Sequence, residues 1–125
     1  MKPQLSSITI AANNLPLLRE FYTTVFGWEI LMQNPQIVIL KLQETLLSLC
    51  TQELFTNYTG VSPSAGKSFY FTVGYDNAAE VDQQFATLKA KGANVTKMPV
   101  KTFWGGYAGF ITDPEGNLWE LSATY

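Results

Sequence analysis

Two stretches of this 125-residue chain lay out the same order of elements, and that order limits the fold more than any single motif does. The first opens with a strand, Ser6 to Ala12, which runs into the helix-capping pair Asn13-Asn14. Leu18, Phe21, Tyr22, Val25 and Phe26 then recur at helical spacing, predicting a helix over 14–26 that Gly27 stops. A strand from Trp28 follows, then the turn signal Asn34-Pro35, then strands Ile37 to Leu42 and Thr45 to Thr51 joined at Gln43-Glu44. The second stretch repeats the order: strand Ser68 to Val73, capping pair Asp76-Asn77, and a helix over 77–91 with Val81, Phe85 and Leu88 on one face, stopped by Gly92. Val95 starts its next strand, and Tyr107 to Thr112 and Leu118 to Ala123 are joined by the tight-turn sequence Asp113-Pro114-Glu115-Gly116. The expected fold is α+β, two βαβββ modules within one domain. Module 1 spans about 5–54 and module 2 about 68–125, with a linker rich in Thr, Ser, Gly and Pro from Phe55 to Lys67.

Alternation within the strands then separates two faces. Ile8 and Ile10, Leu47 and Leu49, Phe69, Phe71 and Val73, and Trp119 and Leu121 form an apolar set expected to pack on the helices. The opposite set is small or polar: Ser7, Thr9 and Ala11; Ser48 and Cys50; Ser68, Tyr70 and Thr72; Glu120 and Ser122. Lysine and arginine are absent from this second set, which favours the wall of a cavity over a solvated face.

Composition removes several function classes. A hydrophobic fraction of 46% is enough for a proper core. A net charge of −2, with eight scattered basic residues, leaves no electrostatic footprint for nucleic acid or an anionic membrane. The N-terminal residues lack a hydrophobic signal core, and no apolar run approaches the ~20 residues that span a bilayer, so the expected location is cytoplasmic. Cys50, the single cysteine, forms no internal disulfide and no thiolate cluster, and is read as a small packed thiol. The chain contains no histidine at all, which removes the commonest ligand for catalytic transition metals and the commonest general base near neutral pH.

Phe26-Gly27-Trp28, Trp104-Gly105-Gly106-Tyr107 and the closing Asp113-Pro114-Glu115-Gly116-Asn117-Leu118-Trp119-Glu120-Leu121 resemble the vicinal oxygen chelate superfamily, the group of glyoxalases, bleomycin-resistance proteins and extradiol dioxygenases. The resemblance extends over essentially the whole chain. It implies that the paired modules form a curved mixed sheet with a U-shaped cleft, usually completed by a second subunit, and that enzymes of the group hold a divalent metal there. The implied metal positions fall on Ser7, Ser48, Ser68 and Glu120, and of these only Glu120 is a usual ligand type.

The expected function is therefore metal-independent binding of a small organic molecule, without a cofactor, by a homodimer that engages neither nucleic acid nor membrane. Ser7, Thr9, Ser48, Cys50, Ser68, Tyr70, Trp104, Tyr107 and Glu120 are the candidate ligand contacts, the aromatic members giving apolar area and Glu120 an acceptor. The alternative is a glyoxalase-type lyase or isomerase, or a dioxygenase-related enzyme, with Glu120 as base or as the sole protein metal ligand. A third reading is a relic site in a partner-binding module.

Overall fold

In the computed structural model, which describes residues 5–64 and 69–124, the chain runs β1 (Ser7–Ala12), α1 (Leu15–Glu20), a π turn (Phe21–Val25), β2 (Glu29–Asn34), β3 (Ile37–Lys41), β4 (Leu46–Thr51), α2 (Gln52–Thr59), β5 (Phe71–Gly74), α3 (Ala78–Ala90), β6 (Asn94–Lys101), β7 (Gly106–Thr112) and β8 (Leu118–Thr124). The predicted caps form. Asn14 Oδ1 accepts the Leu17 N–H at 3.1 Å ahead of α1, and Asn77 Oδ1 accepts the Glu80 N–H at 2.9 Å ahead of α3.

The chain divides into two units, Met1–Ala65 and Gly66–Tyr125. In the first, the sheet order is β1-β4-β3-β2, with β1 parallel to β4 and the other pairs antiparallel. In the second the order is β5-β8-β7-β6, again with only the outer pair, β5 and β8, parallel. The repeat read from sequence is thus realised in topology. A parallel pairing needs a long crossover, and the intervening helix and two strands supply it in both halves.

Each unit buries its own apolar stripe. Leu18 and Tyr22 are buried with Val38, Leu40, Leu47 and Leu49 in the first; Val81, Phe85 and Leu88 of α3 are buried with Ile111, Trp119 and Leu121 in the second. Truncating one such side chain, Leu121→Ala for instance, is expected to cost about 2–5 kcal/mol. The wider π turn after α1 carries Phe21 and Tyr22 inward, and the Tyr22, Phe26 and Trp28 rings stack in succession behind it.

Three expectations need correction. The span Phe55 to Lys67 is not wholly linker, because α2 reaches Thr59: Thr51 caps it through Leu54 N–H and Gly60 closes it at φ 78°. The first strand of the second unit starts at Phe71, not Ser68, because the ladder with β8 begins at the pair Phe71 and Trp119; Ser68 itself lies outside the described residues. Phe69, expected in the core, stands upstream of that ladder and is 58% exposed, meeting Phe71 edge-on.

Candidate functional site

The second unit gathers its functional groups on one face of its sheet. Thr72, Phe110 and Glu120 are neighbours in register across β5, β8 and β7, so their side chains leave the sheet on the same side. Thr72 Oγ1 donates to Glu120 Oε1 at 2.9 Å. Among the described residues Glu120 Oε2 accepts no hydrogen bond, which leaves it as an acceptor for something else. The Tyr70 ring stands edge-on to Phe110, centroids 5.4 Å apart at 81°, and is 53% exposed. A carboxylate therefore sits beside an accessible aromatic pair.

Trp104 reaches the same face by an unusual route. A Cβ on Gly106 would stand on the side of Ala108 and Phe110, and there it would lie 1.9 Å from Trp104 Cζ3. The absence of a side chain at Gly106 thus lets the indole fold back over its own strand. Tyr107 goes the other way: one pleat along, it shares the face of Gly109 and Ile111, and its hydroxyl donates to Asp82 Oδ1 of α3 at 2.6 Å. The expectation that Tyr107 lies with Glu120 is corrected by that bond.

The first unit has a polar face of its own. Thr9 pairs with Ser48 and Ala11 with Cys50 across β1 and β4, and Ser7 pairs with Leu46 at the end of the same row. Ser7 and Thr9 are exposed, whereas Ser48 and Cys50 are buried at 6% and 2% exposure. Burial pushes the Cys50 thiol above its usual 9.0, which keeps it protonated and unreactive near neutral pH. The polar alternate set holds no lysine or arginine, but the strands outside it, β3 and β6, bring basic residues alongside. Lys41 of β3 is the register partner of Leu46, and Lys97 of β6 that of Phe110.

Asp113 shapes the approach to β8. Buried at the turn, it accepts the N–H groups of Glu115 and Asn117, both at 2.9 Å, and the Asn117 amide at 2.6 Å. These bonds fix where β8 begins and so where Glu120 falls in register.

A model of the Glyoxalase/Bleomycin resistance protein/Dioxygenase superfamily matches residues 4–121. The chain belongs to that superfamily. Among solved structures, a glyoxalase-related enzyme from Fulvimarina pelagi is similar at 24% identity with a TM-score of 0.88, covering 97% of this chain and 88% of that one. A glyoxalase/bleomycin resistance protein/dioxygenase from Nocardioides gives 23% and 0.87, covering 99% and 85%. Lactoylglutathione lyase from Agrobacterium tumefaciens gives 25% and 0.82, covering 98% and 94%. A search of curated proteins finds no match.

The divalent metal implied by the superfamily does not suit the donors at its four positions. Ser7 and Ser48 offer neutral hydroxyls, and Glu120 Oε1 already accepts a hydrogen bond from the Thr72 hydroxyl. No group of three or more His, Cys, Asp or Glu side chains that could hold an ion is gathered among the described residues. One carboxylate with hydroxyls supplies neither the charge nor the softness that zinc, iron or nickel sites use.

Two residues of the Glu120 face were missed as site candidates. Thr72 lay in the polar alternate set, but its tie to Glu120 depends on the β5–β8 register. Phe110 lies on a strand with large residues on both faces, so alternation could not assign it.

Proposed function

We propose that this superfamily member is a metal-independent small-molecule-binding protein that takes an organic ligand on the Glu120 face of its second unit. The observation that carries this reading is the half-buried Glu120 carboxylate, held from one side by Thr72 and open on the other, beside the Tyr70 and Phe110 rings. Apolar area with a few placed polar groups is the usual make-up of a ligand site. Trp104 is retained as a further candidate contact on that face, and Ser7, Thr9, Ser48 and Cys50 stand as candidates on the first unit's own polar face. The protein acts in the cytoplasm as a homodimer in this reading. The dimer is supported by exposed apolar side chains on two outer strands, Leu31 and Met32 on β2 and Met98 and Val100 on β6. Sedimentation that gives a monomer at micromolar concentration would remove that part.

A second reading, a lyase or isomerase with Glu120 as general base, draws its support from the likeness to the Agrobacterium lactoylglutathione lyase. Hydroxyls alone would then have to stabilise the oxyanion, which is a weaker arrangement than a metal or a cationic side chain.

A thermal-shift screen separates the readings. A ligand that binds only the folded state at a hundredfold excess over Kd raises Tm by about 10 °C in a chain of this size. Shifts are expected from organic compounds and not from zinc, nickel, iron or manganese salts. A saturable metal-induced shift, lost in Glu120→Gln, would favour the enzyme.

A further inference from the structure

We propose, resting on the reading above, that the ligand of the Glu120 face is an organic cation: an ammonium or amidinium group carried next to a flat ring. Thr72 Oγ1 occupies Oε1 at 2.9 Å, and no described residue donates to Oε2, so the group presents one acceptor in a fixed direction. No salt bridge within the described residues neutralises it, and a carboxylate without a cation is best matched by a charged N–H donor. The spacing then selects what the cation is attached to. Phe110 is the register partner of Glu120, which puts their Cβ atoms about 5 Å apart, and Tyr70 extends the apolar patch edge-on from Phe110. A ring packed against these two lies beside Glu120, so a short cationic substituent on it comes within reach of the carboxylate, and a cation over the aromatic faces gains from their quadrupole as well.

Charge across the strands sets the orientation. Lys97 on β6 is the register partner of Phe110 on the side away from Glu120, so the face runs from basic at β6 to acidic at β8. The cationic end lies over β8, and the electron-rich end of the ring points toward β6. Thr72 is a positioning residue in this arrangement. It holds Oε1 and so leaves Oε2 as the oxygen that meets the ligand.

The test uses benzamidine, benzyl alcohol and benzoate as probes of one size and three charges, followed by backbone and side-chain NMR shifts of the full chain. Benzamidine is expected to perturb Thr72, Phe110 and Glu120 and to bind tightest, with benzyl alcohol weaker and benzoate weakest. Glu120→Gln should weaken benzamidine about tenfold, as loss of a charge-assisted hydrogen bond does. Thr72→Val should weaken it severalfold and Thr72→Ser should restore it, with Tm matched among the three proteins. Benzoate binding at these residues as well as benzamidine does, or benzamidine binding unchanged in Glu120→Gln, overturns the cation while leaving a small-molecule site standing. Failure of all three probes to perturb this face overturns both.

Discussion

Thr72 and Glu120 stand opposite each other on the parallel strands β5 and β8, and the Thr72 hydroxyl donates to Glu120 Oε1 at 2.9 Å. The bond is local to the sheet face, half in water, and it does not hold the core together. Glu120→Gln keeps a carbonyl oxygen that can accept from Thr72, so its stability is expected to stay within about 0.5 kcal/mol of the parent. Urea denaturation at neutral pH checks this; a loss several times larger would make Glu120 a structural residue.

Gly109 and Gly106 lie on the same strand and are expected to respond differently to a methyl group. A Cβ at Gly109 would stand 2.6 Å from Phe85 Cζ and 2.8 Å from both Lys97 O and Pro99 N, a buried ring and the backbone of the irregular β6. Gly109→Ala should therefore cost about 1–3 kcal/mol, read as a lower urea midpoint.

At Gly106 the obstacle is the far end of the Trp104 side chain, which is 45% exposed and can swing away. Gly106→Ala should change the tryptophan emission, most simply followed against a Trp104→Phe control, with a stability loss smaller than that of Gly109→Ala.

Asp113→Ala removes the acceptor for two backbone N–H groups and for the buried Asn117 amide. Leaving such donors unpaired is expected to cost about 3 kcal/mol in chemical denaturation. A change below ~1 kcal/mol would mean that water replaces the carboxylate there.

Tyr75 gives the fold an alkaline limit. Burial, and then the neighbouring Glu80 carboxylate, push its phenol from the usual 10.0 up to about 12. Between these values the unfolded chain has released the proton and the folded chain still holds it. Stability that is intact below pH 10 therefore falls as the pH rises through 10 toward 12. Tyr75→Phe should flatten that decline, seen as a smaller Tm difference between pH 8 and pH 10.5.

The βαβββ order was legible because local signals and tertiary packing agree: the caps Asn14 and Asn77, and the buried rows Val81-Phe85-Leu88 and Leu47-Leu49, each follow from spacing alone. α2 was not legible because it buries no side chain, so it has no apolar row to reveal it; its signals are Thr51, Glu53 and Gly60 at the ends. The face of Glu120 was read correctly from the buried Trp119 and Leu121 beside it. Tyr107 was misplaced because β7 carries bulky residues on both sides, and only the bond to Asp82 settles which way the ring goes. Cross-strand partners such as Thr72 with Glu120 and Lys97 with Phe110 depend on register, which no single strand encodes.

Elemental analysis of protein purified without chelator tests the metal-independent reading most directly. Zinc, nickel, iron and manganese are each expected far below one per chain, with the same values in Glu120→Gln. A near-stoichiometric content of any one of them in the parent, lost on that substitution, would contradict it.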